Sequence, residues 1–110
     1  MPIVRSANEL STTRGDGYTE TACASSEIFG APVPMQARRF VVQAGATVPV
    51  DVVGDEAMVY VVTGTGVLET GPERHDLEPE SVVWLEPPAS TFVHAGDGGV
   101  EVLVAEAPGR

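Results

Sequence analysis

The chain has 110 residues, the size of one domain, and its 43% hydrophobic and 20% charged residues are enough to close a core and exclude intrinsic disorder. Its net charge is −10 with no lysine at all, and residues 51–110 carry the whole acidic excess, a field that repels phosphate backbones and excludes nucleic acid as a partner. Cys23 is the only cysteine, which rules out an intrachain disulfide, and no apolar run reaches signal-peptide or membrane-spanning length, so the expectation is a soluble cytoplasmic protein without a membrane partner.

Taken in chain order, residues 1–34 form an N-terminal arm in which Tyr18 to Ser25 alternates enough to be a strand of the same domain. From residue 35 to 110 the chain reads as short runs rich in Val and aromatics. They are Met35 to Gln43, Thr47 to Val53, Ala57 to Thr63, Val67 to Thr70, Arg74 to Leu77, Ser81 to Glu86, Thr91 to Ala95 and Val100 to Glu106. Gly64-Thr65-Gly66, Thr70-Gly71-Pro72-Glu73 and Gly96-Asp97-Gly98-Gly99 separate these runs and are expected to be hairpin turns. No window sustains a helical period, and nine prolines and twelve glycines interrupt too often for long helices. The fold class is therefore all-β, a barrel or sandwich.

Phe40 to Glu106 resembles the core of the cupin superfamily. Gly45 and Gly64 stand at the distance of the glycines that open and close the family's first motif, and "MVYVVTGTG" looks like its strand and closing turn. The stretch "LEPESVVWLEPPASTFVHAGDGG" is similar to the second motif, with Glu80 and Ala89 where glycines are usual. The resemblance implies a single-domain double-stranded β-helix, or jelly-roll barrel, at residues 35–110. It also implies a homodimer in which the N-terminal strand joins the partner's sheet.

The family's metal ligands, two histidines, a glutamate and a third histidine, fall on residues that mostly cannot serve. The first two positions are Asp51 and Val53, the glutamate is Ala57 or, with a spacing one longer, Met58, and the third histidine is Thr91 or Ser90. A transition metal here needs three or four converging imidazoles and carboxylates. The expectation is therefore a barrel with no metal and no cofactor.

What remains is an apolar cavity with two titratable groups. Asp51 and His94 are the candidate catalytic pair, able to move a proton on a bound molecule. Residues two apart on a strand share a face, so Val53, Ala57 and Val59 are expected to line the cavity with Asp51. Beyond Pro88 two registers are open: one turns Phe92 and His94 inward, the other turns Val93 inward and leaves His94 outside. Of Arg38 and Arg39, neighbours on one strand, one points inward or toward an interface and the other to solvent; Arg39 is the candidate clamp for a substrate carboxylate or enolate, with an interface or surface role as the alternative. Tyr60 and Trp84 serve as core or cavity wall.

Function follows from this inventory. The leading expectation is a metal-independent enzyme that takes a small, largely apolar organic substrate and catalyses isomerisation, cyclisation or elimination. Arginine without lysine and abundant Ala, Val and Gly point to a GC-rich bacterial genome, and the resemblance places small proteins of this kind in specialised metabolism, including polyketide tailoring. Two alternatives stand beside it: a non-catalytic binding or sensor module, and a metal enzyme with an unusual ligand set.

Overall fold

The computed structural model describes residues 12–24, 36–50, 56–85 and 90–106; Asp51 and Val53 lie outside them. Eight antiparallel strands run through these residues: β1 (Thr12–Gly15), β2 (Tyr18–Ala24), β3 (Gln36–Val42), β4 (Thr47–Pro49), β5 (Ala57–Thr70), β6 (Glu73–Leu77), β7 (Val82–Leu85) and β8 (Thr91–Glu106). No described helix is long and apolar enough to cross a membrane.

The architecture rests on β5 and β8, which are long and pair with each other from Ala57↔Glu106 to Thr70↔Thr91. Both bend midway. Their outer halves then serve two different sheets. In the larger sheet the order is β1, β2, β3, the C-terminal half of β8, the N-terminal half of β5, and β7. In the smaller sheet it is β4, the N-terminal half of β8, the C-terminal half of β5, and β6. The ribbon of β5 and β8 is thus folded at one corner, with the Ala57–Glu106 pair at one end of it and the Thr70–Thr91 pair at the other.

Glycines make that corner. The register slips between Val61 and Thr63 and again between Gly64 and Gly66, where Thr65 stands opposite the four residues Gly96 to Gly99. Gly64 (φ 87°) and Gly99 (φ 80°) adopt the left-handed conformation that glycine tolerates best. A Cβ on Gly64 would collide with the carbonyl oxygen of Gly99, and one on Gly66 with that of His94. This corrects the sequence reading at two places. Gly64-Thr65-Gly66 and Gly96 to Gly99 are bulged bends within strands and not hairpin turns, so four expected strands become two. Gly71-Pro72 is a true hairpin turn, joining β5 to β6.

The core lies between the sheets. Phe40 and Val42 on β3, Val59 and Val61 on β5, and Val100, Val102 and Val104 on β8 are buried in the larger sheet, while Val48, Leu68, Leu77 and Val93 are buried in the smaller one. Strand alternation produces this: Phe40 pairs with Val102 and Val102 with Val61, so every second residue of three strands points the same way. Fully burying one such side chain contributes about 1.5–3 kcal/mol.

Candidate functional site

Away from the glycine bend, at the two ends of the β5–β8 ribbon, the inner rows turn polar. On the larger sheet the row Val100, Val102, Val104 ends in Glu106, which pairs with Ala57 on one side and Gln36 on the other. Glu106 is only 4% exposed. On β3 the residue sharing a face with Phe40 and Val42 is Arg38, and its guanidinium reaches Glu106 (Nη2 to Oε1, 3.7 Å) and Glu20 on β2 (Nη1 to Oε2, 3.7 Å). Arg38 also lies over the Phe40 ring, 5.3 Å from its centroid, and Tyr18 packs beside that ring. On the smaller sheet the inner row ends in Thr91, which is buried and directs its hydroxyl to that of Thr70 at 3.4 Å.

This places the inward guanidinium on Arg38 and leaves Arg39 exposed on the outer face, a correction to the expected clamp. The reason is parity: Phe40 and Val42 anchor the inner face, and Arg39 has the opposite parity. Ala57 and Val59 do face inward and are buried, but Tyr60 and Trp84 point outward, so neither walls the barrel. Tyr60 pairs with Val82 and Leu103, and Trp84 with Met58, all on the outer face of the larger sheet. Glu106 and Glu20 were missed by sequence reasoning. The missed signal is the unbroken alternation Val100, Val102, Val104, Glu106, which carries a carboxylate inward on an apolar row.

The register beyond Pro88 is the one that turns Val93 inward, and it puts Phe92 and His94 on the outer face of the smaller sheet. There His94 is bonded on both ring nitrogens, to Thr47 Oγ1 through Nδ1 (2.8 Å) and to Glu69 Oε1 through Nε2 (3.1 Å). An ionised carboxylate only accepts, so Nε2 carries the proton and, in the neutral ring, Nδ1 accepts from the Thr47 hydroxyl. Phe92 stacks on the imidazole at 6.5 Å, and Arg74 reaches Glu69 from β6 at 3.3 Å. The barrel-lining role expected of Phe92 and His94 therefore does not hold. The His94 ring belongs to a surface chain of hydroxyl, imidazole, carboxylate and guanidinium, and Phe92 covers it.

Comparison with solved structures decides the fold. The chain superposes on KdgF from Halomonas sp. with a TM-score of 0.77 over 100% of its own length and 96% of that chain, at 18% identity. It matches ectoine synthase from P. lautus with a TM-score of 0.75, covering 97% of this chain and 79% of that one at 17% identity. A cupin superfamily protein from Desulfitobacterium hafniense aligns with a TM-score of 0.68 and 21% identity, over 87% of this chain and 82% of that one. The fold is that of a small cupin. No family model matches this chain, and no curated protein does either.

The fold family implies a metal, and the described residues do not fit one. Ala57, at the glutamate position, offers a methyl group; Met58, the other choice, is on the outer face; and Thr91, at the third histidine position, gives its hydroxyl to Thr70. Among the described residues no group of three His, Cys, Asp or Glu side chains is placed to hold a cation.

Proposed function

We propose that this cupin takes a small, largely apolar organic molecule in its barrel and transfers a proton on it, in an isomerisation, cyclisation or elimination, without a metal. The observation that carries the reading is Glu106, a carboxylate 4% exposed at the end of an apolar inner row and ion-paired to Arg38. A carboxylate so placed accepts a proton from a carbon acid. The neighbouring guanidinium hydrogen-bonds the oxyanion that forms beside the carbanion. Asp51, which follows the buried Val50 in sequence, stays in the proposal as a second carboxylate, whereas His94 leaves it because its ring is on the outer surface. Among the structural neighbours, the one named ectoine synthase is an enzyme by its name, which is compatible with catalysis on this scaffold.

The test is hydrogen–deuterium exchange in D2O, followed by proton NMR, on a panel of small apolar ketones and β-keto esters. Wild-type protein is expected to accelerate exchange at the carbon beside the carbonyl, and Glu106→Gln to lose at least tenfold of that acceleration. Equal exchange by the two proteins overturns the assignment. The ion pairing of Glu106 with Arg38 also favours a second reading, a binding module without turnover. Under it, Glu106→Gln changes ligand affinity while neither protein exchanges the label.

A further inference from the structure

On the outer face of the smaller sheet, outside the barrel, a hydroxyl, an imidazole and a carboxylate are strung together in the order that nucleophilic enzymes use. Thr47 on β4 stands directly opposite His94 on β8. The two are a non-hydrogen-bonded pair, because the backbone bonds on either side run from Ala95 N to Ala46 O and from Val50 N to Thr91 O. Facing side chains come closest in such pairs, and the Thr47 hydroxyl donates to Nδ1 at 2.8 Å. Glu69, on β5 beside Phe92, accepts from Nε2 at 3.1 Å. Its second oxygen accepts from Arg74 at 3.3 Å, so the carboxylate is pinned at both oxygens.

Each contact bears on reactivity. Glu69 fixes the proton on Nε2 and leaves Nδ1 as a base whose lone pair meets the Thr47 hydroxyl. When Nδ1 takes that proton, the same carboxylate stabilises the imidazolium. By strand parity the Thr47 N–H points away from β8, and among the described residues β4 pairs with no other strand, which leaves this N–H able to bond an oxyanion beside its own side chain. Thr47 is exposed, and His94 and Glu69 are each about a third exposed, so the row is open to a reagent. Pro49 and Phe92 form an apolar shelf beside it. Along β4 a cleft of about 670 Å³, lined by Asp16, Tyr18, Ala46, Thr47 and Pro49, gives room for a small molecule.

We propose that Thr47, His94 and Glu69 form a second site, independent of Glu106, at which Thr47 accepts the acyl group of a small ester. Thr47 Oγ1 attacks the carbonyl carbon, and its proton passes to Nδ1 of His94. The bond from that carbon to the leaving oxygen breaks, and the alcohol departs with the proton from Nδ1, leaving an ester on Thr47. Water then attacks this ester, its proton passing to Nδ1 and on to Thr47 Oγ1, and the acid is released. Thr47 and His94 are the catalytic residues of this step, and Glu69 is a positioning residue that acts through His94.

The probe is p-nitrophenyl acetate. The chain has no lysine and a single cysteine, so few other groups compete for the acetyl. The full chain is expected to release a stoichiometric burst of p-nitrophenolate and to gain an acetyl group that tandem mass spectrometry of its peptides places on Thr47. Thr47→Ser keeps the burst, Thr47→Val abolishes it, and Cys23→Ser leaves it unchanged. His94→Ala lowers the burst rate about a hundredfold. Glu69→Gln lowers it about tenfold without moving the ester concentration that gives half the maximal rate, a split that lost packing would not produce. Every variant is expected to keep the wild-type far-ultraviolet circular dichroism. No acetyl group on Thr47, wherever else one is found, overturns the proposal, and so does a burst rate that His94→Ala leaves unchanged.

Discussion

Glu69 and Glu106 both pair with arginines, and the contrast between them ranks burial above distance. Glu69, on the outer face of the smaller sheet, has the shorter contacts, 3.1 Å to His94 and 3.3 Å to Arg74, but it is about a third exposed and Arg74 is mostly in solvent. Glu106, on the inner face of the larger sheet, sits 3.7 Å from Arg38 and is almost wholly enclosed. Water screens the first cluster, and side-chain ordering offsets much of what remains. The second has lost its water, so its charge depends on the protein around it.

The sharpest way to break this contrast is to remove the cation from the buried carboxylate. Arg38→Ala is expected to lower the unfolding free energy by about 2–3 kcal/mol, slightly below the range for a fully buried pair because Arg38 keeps 22% of its side-chain exposure. Urea denaturation measures it, and a loss under about 0.5 kcal/mol would mean that the inner pair is as solvated as the outer one. Replacing both partners with apolar groups, Arg38→Met with Glu106→Leu, is expected to return the stability to within about 1 kcal/mol of wild type. The proton-exchange activity proposed above should vanish in that same double variant.

The outer cluster should respond far less. His94→Ala and Glu69→Ala are each expected to cost no more than about 1 kcal/mol, and a double-mutant cycle between them to give a coupling of a few tenths. The smallest effect is the most discriminating: raising NaCl from about 0.1 to 1 M shortens the screening length from roughly 10 to 3 Å. The Arg74–Glu69 coupling, between two charges open to solvent, should fall towards zero while the Arg38–Glu106 coupling persists. If salt weakens both equally, burial is not what separates them.

Much of the fold was legible because valine alternation and breakers leave few other solutions for a chain of this length. The strands β3, β6, β7 and the start of β5 lie within a few residues of where the runs between breakers placed them. β1 was not legible, since Thr12-Thr13-Arg14-Gly15 has no apolar side chain to bury and is held by pairing with β2 alone. Glycine marks where a strand is interrupted but not whether pairing resumes beyond it, which is why two bends read as turns.

The site was less readable. Arg38 and Arg39 are distinguishable by parity once Phe40 is taken as the core anchor, and the wrong one was favoured as the clamp. At Phe92 and His94 the sequence was ambiguous in a deeper way, because Phe92 is as apolar as Val93 and either parity gives a plausible inner row. Only pairing with β4 and β5 resolves it, through Val48, Val93 and Leu68 in one buried line.

Because β5 and β8 each belong to both sheets, neither sheet has a backbone of its own to fall back on. Tearing one layer strips hydrogen bonds from strands that the other layer also uses, so the domain should lose its order as one cooperative event. Amide protons on both halves of these strands, at Val59 and Leu68 or at Val93 and Val104, should then exchange through the same global opening. A molecule seated between the ends of the folded ribbon would clasp both leaves at once and slow that opening everywhere, even at residues it never touches.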